Sequence, residues 1–178
     1  AANMSIRGGV TTAFFSLEMS EMQLMQRLVA LEAKIDSTKM RSGNLTARDF
    51  KRITSICSKL YDAPMYMVEM PNMKLLDLSA MARQLCTRYG VQIIFVDYLG
   101  LISSENYNIP RHEQIAEISR SLKSMARELC IPIVALSQLV RDVEDKSPVL
   151  SSIRESGSLE QDADVVMFLH RQRKETAE

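Results

Sequence analysis

Val91-Gln92-Ile93-Ile94-Phe95-Val96-Asp97 is a run of β-formers that ends in a carboxylate. Two other stretches repeat that layout. Thr12-Ala13-Phe14-Phe15-Ser16-Leu17 runs into Glu18, and Ile131-Pro132-Ile133-Val134-Ala135-Leu136 runs into Ser137-Gln138. Apolar runs of this length between helical patterns predict strands buried on both faces of a parallel sheet. Ligands of such sheets bind outside the carboxyl ends of the strands. Glu18, Asp97 and Gln138 would therefore share one edge, a set that suits nucleoside triphosphate chemistry.

The segments between these runs read as crossover helices. Gly8-Gly9 closes a short first helix. Ser20 with Gln23 is a capping box for a helix whose apolar stripe is Leu24, Leu28 and Leu31. Thr46 and Asp49 cap a helix carrying Phe50, Ile53, Cys57 and Leu60. Residues 64–68 form a short strand. Leu75, Leu78, Ala82 and Leu85 mark a helix that ends near Gly90. Ile115, Ile118, Leu122, Met125 and Leu129 mark one over residues 111–129. Val165-Val166-Met167-Phe168-Leu169 reads as a last strand. Residues 103–110 and 141–152 are polar and aperiodic, hence loops, and the first is expected to be mobile. The alternation argues for an α/β fold, a mostly parallel sheet flanked by helices, in one domain-sized chain of 178 residues.

Composition narrows the function classes. The chain is 46% hydrophobic and 25% charged, enough for a core and for a soluble protein. No apolar run reaches the roughly 18 residues of a membrane span. With 22 acidic and 22 basic side chains, any nucleic-acid contact must come from a few local residues, repeated by oligomerisation. Cys57, Cys86 and Cys130 are odd in number and widely spaced, which argues against a disulfide framework or a zinc site and for free thiols in a reducing cytoplasm. The 12 methionines are expected to fill core positions. The start, Ala1-Ala2-Asn3-Met4, has no signal-peptide layout and reads like the middle of a helix, as expected of a fragment of a longer chain.

Each strand-tip residue has a chemical and an ordinary reading. Asp97 suits a magnesium ion, held through water beside a triphosphate, or the cap of the next turn. Glu18 suits a base that polarises an attacking water, or a first-turn acid favoured by the helix dipole. Gln138 suits a sensor of a γ-phosphate, or a solvated loop amide.

Longer stretches carry a resemblance. Ala13-Phe14-Phe15-Ser16-Leu17-Glu18-Met19-Ser20, Val96-Asp97-Tyr98-Leu99, Ile118-Ser119-Arg120-Ser121-Leu122-Lys123, Ala135-Leu136-Ser137-Gln138-Leu139 and Arg154-Glu155-Ser156-Gly157-Ser158-Leu159-Glu160-Gln161-Asp162-Ala163-Asp164 occur in order. Together they resemble the C-terminal, RecA-like motor domain of DnaB-type bacterial replicative helicases over nearly the whole chain. The Phe-Ser-Leu-Glu-Met and Arg-Glu-Ser-Gly stretches are specific to that family among RecA-like ATPases.

The resemblance implies a P-loop ATPase core that binds ATP and magnesium. It makes Glu18 the catalytic base, Asp97 the Walker B aspartate at magnesium, and Gln138 the link from γ-phosphate to the following loop. Arg27 would lie near bound nucleotide. Arg154, Glu155 and Gly157 would face a central channel and meet single-stranded DNA. The implied assembly is a cytoplasmic homo-hexamer that unwinds duplex DNA at the replication fork, with a primase and a helicase loader as partners and no membrane. Another RecA-family ATPase and a non-catalytic RecA-like interaction module are the rival readings; Arg-Glu-Ser-Gly favours the helicase.

The chain also departs from the family pattern. No Gly-x-x-x-x-Gly-Lys-Ser/Thr occurs in it. The resemblance puts that phosphate loop, with its strand, just upstream of Ala1, and a basic triplet that reaches a neighbour's ATP beyond Glu178. Residues 1–178 are thus expected to be a partial domain. Arg171-Gln172-Arg173-Lys174 reads as a solvated run rather than that triplet. Gly100 stands where the family usually has Gln, and the loop between Gln138 and Arg154 is a few residues shorter than in some relatives.

Overall fold

The computed structural model describes residues 1–106, 108–139, 148–153 and 157–170. Four strands form one parallel sheet in the order β2-β1-β3-β4: β1 Thr12–Ser16, β2 Met65–Glu69, β3 Ile93–Asp97 and β4 Ile133–Ala135. The helices are α1 Ala2–Gly8, α2 Glu21–Ala33, α3 Ser37–Ser42, α4 Ala47–Asp62, α5 Leu75–Tyr89, α6 Arg111–Leu129 and α7 Leu159–Asp162, with short 3-10 turns at Leu99–Leu101 and Leu150–Ser152.

Side-chain alternation explains the central strands. Ala13 and Phe15 of β1 and Ile94 and Val96 of β3 are fully buried on one face. Leu75, Leu78, Ala82 and Leu85 of α5 and Ile115, Ile118, Leu122 and Met125 of α6 close over that face in one apolar cluster. On the opposite face Phe14 stacks on Phe95, centroids 6.5 Å apart, and Ser5 of α1 shares a buried 2.7 Å hydrogen bond with Thr12. A bidentate pair, Arg83 Nε to Glu128 Oε1 at 2.6 Å and Nη2 to Oε2 at 2.9 Å, ties α5 to α6.

Several expectations need correction. Strand β4 covers three residues rather than six and is not buried on both faces: it pairs only with β3 among the described residues, and Ala135 and Leu136 are exposed. Residues 165–170 form no strand; Val165, Met167 and Leu169 are 74%, 77% and 97% exposed. An apolar run needs a neighbouring ladder to become a strand, and the described residues supply none there.

Helix α2 does not bury its leucines as read. Val29, Ala30 and Ala33 are its buried residues, Leu24 and Leu28 are half-buried, and Leu31 is exposed. On α4 only Leu60 is buried, and Phe50 and Cys57 are exposed. Of the methionines, Met73 and Met125 are buried, but Met4, Met22, Met25 and Met167 are exposed. The loop at 103–110 is anchored at its start. Ser103 bridges to Lys74, and buried Ser104 donates to Glu117 at 2.6 Å.

Candidate functional site at the carboxyl edge of the sheet

The chain leaves β1 for β2 on one side, returns past β1 to β3, and continues to β4 on the other side. The strand order therefore reverses between β1 and β3, and the crevice at their carboxyl ends is where open α/β sheets bind ligands. Ser16 pairs with Asp97 in register, and Leu17 N–H donates to the Asp97 carbonyl at 2.9 Å. Glu18 follows directly, so Glu18 and Asp97 flank that crevice.

The turn that carries Glu18 is fixed from both sides. Ser16 Oγ donates to the Met19 carbonyl at 2.6 Å. Ser20 caps α2 in the expected capping box with Gln23. Glu69, at the tip of β2, accepts from Glu21 N–H at 2.7 Å, so a neighbouring strand end also holds the start of α2. Glu18 itself is exposed, free to meet a solvent molecule.

Electrostatics tie the residues together. Burial pushes the Asp97 carboxyl above its ordinary range, the Glu18 charge pushes it further, and Arg27 pulls it back. Arg27, exposed on α2, thus lies within electrostatic reach of Asp97. Two carboxylates held close with one guanidinium make a site that gains from a cation. Among the described residues no three His, Cys, Asp or Glu side chains converge on a point.

Gln138 stands on the same edge. Leu136 N–H donates to the Val96 carbonyl at 3.0 Å, and Leu99 N–H donates to the Leu136 carbonyl at 2.9 Å. Ser137 and Gln138 then line a cavity of about 220 Å3 with Tyr98, Leu99, Gly100, Arg111, Ile115 and Leu159. Gln138 is exposed. The next residue, Leu139, makes an antiparallel bridge to Ile153. One backbone contact thus joins the neighbour of Gln138 to the residue that precedes Arg154 in sequence. Arg154 and Glu155 lie outside the described residues; Gly157 is in an exposed turn ahead of α7. Beyond α7, Asp164 takes an ion pair from Lys123 of α6.

Sequence reading missed three contributors. Ser16 and Glu69 shape the Glu18 turn. Arg111 donates to the Gly100 carbonyl at 2.6 Å and to Gln114 Oε1 at 2.8 Å, which clamps α6 to the turn after Asp97. Only Ser16 carried a signal, its place inside the Phe-Ser-Leu-Glu stretch. Gly100 has a local reason: a Cβ there would stand 2.9 Å from Cε2 of Tyr98, so the ring occupies the space of a side chain.

Fold and edge together define a RecA-like α/β domain. The chain belongs to the DnaB-like helicase C terminal domain family, whose model matches residues 1–178. It is 60% identical over 176 residues to the replicative DNA helicase DnaB of Treponema pallidum, covering 99% of this chain. It spans only 40% of that relative's length. Among solved structures, one described as an ATPase domain superposes with a TM-score of 0.89 at 34% identity, over 95% of this chain and 62% of that one. A structure described as that of a DnaB-like replicative helicase and its interactions with primase gives 0.85 at 34% identity, over 91% of this chain and 40% of that one. Among the described residues no helix is long and apolar enough to cross a membrane.

Proposed function

We propose that this chain is the motor core of an ATP-driven DNA helicase, acting in its full-length form as a hexameric ring on single-stranded DNA in the cytoplasm. The observation that carries the reading is the alignment of Glu18, Asp97 and Gln138 at the ends of three adjacent strands, across the point where strand order reverses. Membership of the family supports it. A primase is a proposed partner, on the strength of the DnaB-like neighbour described with one; a helicase loader is a second.

Asp97 would hold magnesium through water, and Arg27 would stand by the nucleotide phosphates. Magnesium would supply charge neutralisation on the β- and γ-phosphates. Glu18, exposed on a fixed turn, would accept a proton from the attacking water. Gln138 would feel the γ-phosphate, and the Leu139–Ile153 bridge is a short route to Arg154, Glu155 and Gly157, the proposed contacts to DNA phosphate. Residues 1–178 contain no phosphate-loop motif, so they would act as part of a larger ATPase domain.

The test is Glu18→Gln in the full-length protein. Gln keeps the shape but cannot take the proton, so nucleotide binding should persist while turnover falls by about 10²–10⁴-fold. Unchanged turnover would reduce Glu18 to a helix-start acid.

A further inference from the structure

Three polar residues on one side of α6 hold the chain that follows Asp97. Arg111, the first residue of α6, donates from Nη2 to the Gly100 carbonyl at 2.6 Å and from Nη1 to Gln114 Oε1 at 2.8 Å. Gln114 in turn donates from Nε2 to the Ile109 carbonyl at 3.0 Å. Glu117 accepts from the buried Ser104 hydroxyl at 2.6 Å. Arg111, Gln114 and Glu117 are half-buried and three residues apart, so one side of the helix grips residues 100, 104 and 109.

Arg111 stands out in this row for its position and for what it holds. A guanidinium in the first turn of a helix meets the positive end of the helix dipole, where an acid is the favoured residue. Pro110, at the cap, gives α6 no side-chain hydrogen bond, so the cation sits there against local preference. Its grip falls on a turn that joins two strand ends. Gly100 lies in the turn Leu99–Leu101, just after Asp97-Tyr98. Leu99 N–H reaches the Leu136 carbonyl at 2.9 Å, directly before Ser137-Gln138. The Tyr98 ring fills the space that a Cβ on Gly100 would need, so the Gly100 carbonyl is the handle that remains. Arg111, Gly100 and Gln138 line the same cavity of about 220 Å3, which is open space for the turn to move into once the grip is lost.

We propose that Arg111 is a positioning residue for ATP turnover: by holding the Gly100 carbonyl it sets the turn from which Asp97 and, through Leu99 and Leu136, Gln138 take their places. The proposal rests on the motor reading above and adds to it a residue that acts through the turn rather than on the nucleotide. A planar guanidinium presents its donors in a fixed fork, so it can hold the carbonyl and Gln114 at once; an ammonium at the end of a flexible stem fixes neither direction. Displacing a reacting group by about 1 Å can cost about 10²-fold in rate. Loss of the fork should therefore tell on the chemical step more than on nucleotide binding.

The experiment uses the full-length protein, with hydrogen–deuterium exchange in the absence of nucleotide and steady-state ATP turnover. The amides of Leu99, Leu101 and Ile102 are hydrogen-bonded in the turn, so Arg111→Met should speed exchange there. It should also lower kcat by about ten- to a hundredfold while KM for ATP stays near the wild-type value. Arg111→Lys should recover only part of the loss. His112→Ala, the next residue along and exposed, should change neither reading. If Arg111 acts through the edge that carries Gln138, Arg111→Met and Gln138→Ala should be non-additive, the double variant losing less than the product of the single losses. Melting curves confirm that the variants are folded; if Arg111→Met is not, Arg111→Lys is read for the same directions. Unchanged exchange in the turn, unchanged kcat, or fully multiplicative losses would each overturn the proposal. Turnover abolished by Glu18→Gln but untouched by Arg111→Met would leave the motor reading standing and remove Arg111 from it. Turnover that survives Glu18→Gln would overturn both.

Discussion

Asp97, proposed as the residue at magnesium, carries a cost in the fold that bears it. Its carboxyl is raised by burial first and by Glu18 second. A raised folded-state value means that the stability contribution is present below the ordinary value of 3.8 and is lost as pH rises through the raised value. Asp97→Asn should therefore raise Tm slightly at neutral pH and leave it unchanged well below 3.8. In the full-length protein the same change should abolish magnesium-dependent turnover. Thermal melts across pH, read beside turnover, check both; a lower Tm at neutral pH would mean that Asp97 is a stabilising cap. The sequence made the common edge of Glu18, Asp97 and Gln138 legible because each follows a β-forming run. It could not show Arg111 or Glu69, whose partners are distant in sequence and are met only through the folded chain.

Elements were legible where burial is one-sided and periodic. Helices α5 and α6 carry apolar residues at every helical turn and bury the residues expected, except Leu129 at the end of α6, which is half-buried. Helix α2 misled because large leucines looked like its core face, whereas the residues it buries are Val29, Ala30 and Ala33. The run at 165–169 misled because apolar character does not state whether a ladder is present. The caps were legible and are testable. Ser20→Ala should cost roughly 0.5–2 kcal/mol in chemical denaturation, and it should lower turnover because the same cap fixes the Glu18 turn. Thr46 and Asp49 give a pH test. The Thr46 hydroxyl, then its backbone N–H, holds the Asp49 carboxyl below its ordinary 3.8. That stabilisation is present above 3.8 and lost as pH falls through the lowered value, so Thr46→Ala should flatten the acid limb of the stability curve. An unaltered acid limb would assign it to other carboxylates.

At the scale of the molecule, a neutral chain has little non-specific pull on DNA, so affinity must come from repeating a few contacts. If Arg154 meets phosphate once per subunit of a ring, Arg154→Ala in the full-length protein should weaken single-strand binding at every sequence and flatten its salt dependence. Affinity measured against salt, with an ATP analogue present, checks this; identical slopes would place the DNA path elsewhere. The 178-residue chain alone should hydrolyse ATP negligibly, because a cradle for the β- and γ-phosphates is missing from its sequence. Robust metal-dependent turnover by it, abolished by Glu18→Gln, would contradict that. The most direct measurement is ATP-dependent strand displacement on a forked duplex by the full-length protein, beside Glu18→Gln. The wild type should separate the strands only with ATP and magnesium, and the variant should bind single strands yet leave the fork intact. Strand separation by the variant at the wild-type rate, or none by the wild type, would contradict a motor built on this edge.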